Sequence, residues 1–148
     1  MASLIPEADL VRKTVTLRVM DAPNDVVLTK DSLLRWMCLS LGLISEKESR
    51  DTVVKIFDSL LSFQVAGVDP SAEKMGECLS GVGEKTLRYH LKRMQDMGVV
   101  EKNGKGYRFV RDPTSPRLDA FTDVFLKSVI TDAGASADKV FKELLGKY

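Results

Sequence analysis

Hydrophobic residues recur at spacings of three and four along most of the chain, which is the period of one face of an α-helix. The helices that this pattern predicts lie at about residues 29–42, 45–63, 71–79, 84–97, 117–131 and 137–145. In the helix at 84–97 the two faces separate most clearly, because the inward positions are mostly apolar and the outward positions are mostly charged. Its inward residues are Leu87, His90, Leu91, Met94 and Met97.

Two parts of the chain show the alternation of β-strands instead. In "TVTLRVM" (14–20), Val15, Leu17 and Val19 share one face, and "VVL" (26–28) is a candidate return strand across a polar turn. Near the other end, "VVEK" and "YRFV" flank "NGKG", where asparagine and glycine tolerate the positive φ of a tight turn. The pattern predicts an N-terminal hairpin and a second hairpin at about residues 99–110.

Capping residues set the expected helix ends. Thr29 and Ser71 each stand where an N-cap hydroxyl accepts a backbone N–H, and Ser45 with Glu48 has the spacing of a capping box. Gly98 stands where a left-handed glycine ends a helix. These signals favour separate helices joined by short turns.

From residue 46 to residue 110 the order is helix, short capped helix, glycine-containing turn, basic helix, glycine and hairpin. This segment resembles winged helix-turn-helix DNA-binding domains, particularly the ArsR- and MarR-like regulators. The residues that carry the resemblance are Val82, Thr86, Leu87, His90, Leu91, Met94, Gly98, Val99 and Val100. Two features depart from the family pattern: the turn from Leu79 to Val82 is one residue longer, and Gly83 takes an N-cap position where serine is common.

The resulting fold prediction is mostly α, of the α+β class: a winged helix-turn-helix with an extra N-terminal hairpin and helix and two C-terminal helices. The domains expected are an N-terminal extension at 1–44, the winged helix-turn-helix at 45–111 and C-terminal helices at 112–148. In regulators of this kind the added helices commonly form a dimer interface. The resemblance therefore implies a homodimer, whose candidate contact residues are Phe121, Phe125, Phe141 and Leu145.

Charge sharpens the functional prediction. The chain has a net charge of +1, but residues 84–111 hold eight basic and three acidic side chains, and the remainder is acidic. An outward basic helix fits the major groove of double-stranded DNA, and a basic wing can contact the backbone or the minor groove. The candidate DNA-binding residues are Lys85, Arg88, Tyr89 and Lys92 on the helix, with Lys102, Lys105 and Arg108 on the wing. A transcriptional regulator is the first hypothesis, and a winged-helix module that docks on protein or RNA in a larger assembly is the alternative. A merely solvated basic face is the simplest competing interpretation.

The remaining chemistry-bearing residues predict no reaction. His90 is the chain's single histidine and is expected to pack inward, and Cys38 and Cys78 are expected to be buried thiols without metal-ligand spacing. There is no phosphate-binding loop or catalytic set, so we expect neither an enzyme nor a cofactor nor a metal. No leader or membrane span is recognisable, which favours a cytoplasmic protein. No residue pattern identifies a small-molecule effector.

Overall fold

The computed structural model describes residues 5–23, 29–45 and 51–148. Within these ranges the regular elements are α1 (Lys30–Ser40), α2 (Thr52–Val65), α3 (Ala72–Cys78), α4 (Glu84–Met97), β1 (Val100–Asn103), β2 (Gly106–Phe109) and α5 (Phe121–Leu145). Short 3₁₀ helices occur at Pro6–Leu10 and Leu118–Ala120. The fold is mostly helical with one two-stranded antiparallel sheet, which confirms the predicted class.

Two of the predicted caps form. The Thr29 hydroxyl accepts the backbone N–H of Ser32 at 3.1 Å, and the Ser71 hydroxyl accepts that of Lys74 at 3.1 Å. Each bond satisfies one of the N–H groups that the first turn of a helix leaves without a partner. The third cap cannot be compared, because Glu48 lies outside the described residues, and α2 begins at Thr52.

Helices α2, α3 and α4 enclose the core and form the helix-turn-helix. Ile56 and Leu60 from α2 are fully buried against Met75 from α3 and against Leu87 and Leu91 from α4. This is the inward face that the spacing predicts. With its apolar side turned inward, α4 presents its charged side to solvent.

The end of α4 sets the position of the wing. Gly98 adopts φ 84°, a left-handed conformation that costs glycine least, and its N–H bonds back to Gln95 and Met94 carbonyls. The chain then reverses through β1 and β2, whose register pairs Val100 with Phe109. The predicted hairpin is therefore present, and it starts directly from the end of α4.

The wing also contacts the loop between α2 and α3. The backbone N–H of Tyr107 donates to the Pro70 carbonyl at 2.8 Å. At the neighbouring Gly106, a Cβ atom would lie 2.3 Å from the Asp69 carbonyl oxygen, so only glycine permits this approach. The loop thus extends along β2 and holds the hairpin against the helices.

The N-terminal hairpin was predicted wrongly within the described residues. Residues 14–20 contain no strand, and Val19, which was predicted to share one strand face with Val15 and Leu17, is fully exposed. The Arg18 N–H bonds instead to the Ser40 carbonyl at 3.1 Å, and its guanidinium donates to the Leu39 and Ile44 carbonyls. The segment therefore ties to the end of α1, and the candidate return strand at 26–28 lies outside the described residues.

The two C-terminal helices are one continuous helix. "TDAGASAD" (131–138) suggests a break, but α5 passes through it without interruption. A single glycine such as Gly134 costs a helix only about 1 kcal/mol relative to alanine, and no proline is present to stop it. Two of the four candidate dimer residues, Phe121 and Phe125, lie in the core of this chain, whereas Phe141 and Leu145 are exposed.

Candidate nucleic-acid interface

The outward face of α4 presents all four of its predicted side chains to solvent. Lys85, Arg88, Tyr89 and Lys92 are exposed, and none of them contributes to the hydrophobic core. Tyr89 exposes 64% of its surface, although a tyrosine at a merely structural position is usually more buried. The face therefore combines cations with an aromatic ring, which are the groups that contact phosphates and bases.

Two of these cations already have carboxylate partners. Arg88 donates to Glu73 of α3 at 2.6 Å and to Glu84 of α4 at 3.1 Å, and Lys92 pairs with Asp96 at 2.6 Å. The hydrogen bonds that Arg88 donates to Glu84 and Glu73 raise its pKa. A bond from its own backbone and one from Arg88 lower the pKa of Glu73. The face is thus closer to neutral than its basic residues alone indicate.

Two of the three cations predicted on the wing are exposed to solvent, and the third contacts the protein. Lys102 lies over the ring of Tyr107, with Nζ 4.9 Å from the ring centroid. Lys105 is exposed in the turn between β1 and β2. Among the described residues, neither Lys85 nor Lys105 has an ion-pair partner. These two lysines are the cations most directly available to a phosphate.

Arg108 faces the protein instead of the exposed tip of the wing. It is half-buried, donates to Glu101 at 3.2 Å and lies 4.0 Å from Asp69. Two further arginines of the basic segment also hold the fold together: Arg93 donates to the Leu43 carbonyl, and Arg111 donates to Gln64 at 3.0 Å. The basic surplus of residues 84–111 is therefore only partly a surface property.

A polar cluster fixes the wing to α2. We call Gln64, Asp69, Asn103, Arg108 and Arg111 the wing clamp. Gln64 Nε2 donates to Asp69 Oδ1 at 2.8 Å, and Asn103 Nδ2 donates to Asp69 Oδ2 at 2.9 Å. Arg111 lies 3.9 Å from the same carboxylate. The clamp joins the end of α2 to both strands and to the segment that follows them.

Gln64 is the central member of this clamp. It is the buried polar residue among the described positions, with 9% of its surface exposed. Its Oε1 accepts the backbone N–H of Phe109 at 3.1 Å as well as the bond from Arg111, and its Nε2 also donates to the Val68 carbonyl at 2.9 Å. Both ends of the amide are thus used, which satisfies a group that is costly to bury alone.

Sequence reasoning missed Glu73, Asp69 and Gln64. The Glu84–Arg88 and Lys92–Asp96 pairs could have been read from their spacing of four residues on one helix. Glu73 and Gln64 reach partners 15 and 45 residues away in the chain, so no local pattern indicates their contacts.

The histidine and cysteines occupy three different settings. His90 is half-buried and packs edge-on against Tyr89, with ring centroids 5.1 Å apart. Cys38 is buried, and desolvation raises its pKa to about 12. Cys78 is exposed, which corrects the expectation of a buried thiol, because the short helix α3 turns it away from the core. In the described ranges, no group of histidine, cysteine and carboxylate side chains could hold a metal ion.

These elements define the class: α3, the glycine-containing turn, α4 and the β1–β2 hairpin form a winged helix. Residues 71–113 match the family model of the ribonuclease R winged-helix domain. No curated protein and no solved structure matches the chain significantly. The ArsR- and MarR-like assignment stays a prediction. None of the described helices is long and apolar enough to cross a membrane.

Proposed function

We propose that the winged helix binds double-stranded DNA, with α4 in the major groove and the wing against the backbone or the minor groove. The outer face of α4 carries this proposal, because Lys85, Arg88 and Tyr89 are exposed on a helix that the core holds rigidly. Arg88 is the candidate base reader, since a guanidinium can bond two acceptors on a guanine edge. On this proposal the chain is a cytoplasmic, dimeric transcriptional regulator without chemistry of its own.

The ion pairs of Arg88 do not prevent this role. Arg88, Glu73 and Glu84 are all surface groups, and surface pairs exchange partners at little cost. A phosphate or a guanine edge offers Arg88 the same kind of bidentate contact that the two carboxylates provide. Binding would therefore replace one set of charge-assisted hydrogen bonds with another.

Salt dependence gives the first test, by fluorescence anisotropy with a labelled random duplex pool. Five exposed cations are available: Lys85, Arg88, Lys92, Lys102 and Lys105. If each neutralises one phosphate, log K falls with log[salt] with a slope of about −4.5. No measurable binding to any duplex at about 50 mM salt would overturn the proposal.

Matched variants give the second test. Arg88→Ala is expected to weaken binding to a selected sequence by roughly 10- to 100-fold. Glu73→Gln removes a negative charge beside α4 and releases Arg88, so it is expected to strengthen binding. Lys142→Ala changes an exposed lysine of α5 that pairs with Asp138, and it serves as the control. Equal effects of Arg88→Ala and Lys142→Ala would contradict the assignment of α4.

RNA is the second candidate ligand, and the family match favours it. The matched family is named after ribonuclease R, and a ribonuclease is an enzyme that acts on RNA. The exposed Tyr89 ring suits stacking on an unpaired base. The same assay with single-stranded RNA separates the two: tighter binding to RNA than to duplex DNA would replace the first proposal with the second.

A further inference from the structure

The last part of α5 has an apolar stripe that no other described residue covers. Every residue from 131 to 148 is exposed. The stripe follows alternating spacings of three and four residues, which is the seam of a coiled coil. Its members are Ile130, Ala133, Ala137, Val140 and Leu144, and Phe141 and Leu145 flank it.

The sizes of these residues indicate what covers the stripe. Small residues stand at 133 and 137, and large residues stand at 140 and 144. In a parallel pair of α5 helices, alanine would face alanine in two neighbouring layers. The larger layers would then hold the helices apart and leave voids, which close-packed interfaces avoid.

An antiparallel pair removes this mismatch. If the two-fold axis passes between residues 138 and 139, Ala133 faces Leu144 of the second copy, and Ala137 faces its Val140. On one flank, Gly134 faces Phe141 of the second copy. The two central layers and this flank then each combine a small residue with a large one, which keeps the distance between the helices uniform over this part of the seam.

The N-terminal segment continues this surface. A groove of about 650 Å³ lies between residues 10–15 and α5, and Ala133 of the seam is among its lining residues. Leu10 and Val11, which also line it, are 78% and 66% exposed. In the antiparallel register, Leu144 of a second copy lies at the end of the groove that Ala133 lines.

One charged contact also suits this occupant. Arg12 and Lys13 line the groove, and the Nζ atom of Lys13 lies 3.7 Å from Asp132. On the flank of the seam that carries Val129 and Asp132, the antiparallel register brings Glu143 of the second copy toward these two cations.

We infer that α5 is a dimerisation helix, on which a second copy of this chain packs antiparallel about a two-fold axis between residues 138 and 139. The inference rests on the dimer of the proposed function but not on its nucleic-acid ligand. Residue 121 lies about 26 Å along the helix from that axis, so the two starts of α5 are roughly 50 Å apart.

Cysteine crosslinking tests the orientation. In a Cys78→Ser background, Ala133→Cys and Leu144→Cys chains are mixed under mild oxidation. We expect disulfide-linked dimers from the mixture and little product from either variant alone. A parallel pair would instead link each variant to itself, and this result, or the absence of any crosslink, would overturn the inference.

Sedimentation equilibrium tests the surface without nucleic acid. The parent chain, of 16.4 kDa, is expected to sediment at twice that mass. Leu144→Asp is expected to give monomers, whereas Ala135→Asp on the opposite side of α5 is expected to leave the dimer intact. Both residues are exposed, so neither change disturbs the core. A monomeric parent that still binds duplex DNA would overturn the dimer and leave the proposed nucleic-acid function standing.

Discussion

Replacing Gln64 by leucine tests whether the wing clamp holds the wing in place. Leucine matches the size of the buried stem but has neither a donor nor an acceptor. The change removes the bonds to Phe109, Asp69 and the Val68 carbonyl, as well as the bond from Arg111. If the clamp fixes the hairpin to α2, the free energy of unfolding must fall substantially.

The size of this loss in the free energy of unfolding follows from the polar groups that stay buried without a partner. Phe109 is 2% exposed, so its N–H loses its acceptor in a place that water reaches poorly. Leaving one such group unsatisfied costs about 1–3 kcal/mol, and each bond to a charged partner adds about 1.5–3 kcal/mol in favourable cases. Asp69 and Arg111 remain close to each other and partly exposed to solvent, which offsets some of this loss. We expect a net loss of about 2–4 kcal/mol.

Urea unfolding followed by circular dichroism measures this loss. For a chain of about this length, it corresponds to a fall in Tm of roughly 4–16 °C. Gln95→Leu is the matched control, because Gln95 is exposed on α4 and its replacement is expected to change stability by less than about 0.5 kcal/mol. A Gln64→Leu loss no larger than that of the control would refute the role given to the clamp.

Two further predictions concern titratable groups. Burial acts to raise the pKa of Asp69, but bonds from Asn103 and Gln64 and the two nearby arginines outweigh it and lower the pKa below 3.8. A carboxylate with a lowered pKa stabilises the fold at pH values above its pKa in the unfolded chain. The stability lost in Asp69→Asn, measured by urea unfolding, should therefore be constant near neutral pH and shrink below about pH 4. The raised pKa of Cys38 and the exposure of Cys78 predict one fast thiol towards Ellman's reagent at pH 8 and two after unfolding. A fast phase that persists in Cys78→Ser would contradict this assignment.

Local chemistry explains which parts of the fold could be predicted. The caps at Thr29 and Ser71, the glycine end of α4 and the inward face of α4 depend on residues within a turn or two. The prediction of an N-terminal hairpin was wrong because an alternating pattern does not determine which segment a strand pairs with. Arg18 bonds instead to backbone carbonyls at the end of α1. The break predicted in α5 failed because one glycine weakens a helix without ending it.

The candidate site was predictable only as a set of positions. Spacing placed Lys85, Arg88 and Lys92 on one outward face, and the structure agrees. Whether those charges are free depends partly on spacing within α4 and partly on tertiary neighbours such as Glu73, which pairs with Arg88. Arg93, for example, donates to the Leu43 carbonyl 50 residues away, and a count of basic residues cannot detect that contact.

The carboxylates around Arg88 bear on selectivity as well as on affinity. Glu73 and Glu84 repel phosphates of any sequence, so they weaken binding that depends on charge alone. A guanine edge in the correct position offers Arg88 two acceptors that replace both carboxylates, and a mismatched base does not. The pairs therefore oppose non-specific binding more than specific binding. It follows that Glu73→Gln should strengthen binding to random duplexes more than binding to a selected sequence, and an equal gain on both would mean that Arg88 contacts only the backbone.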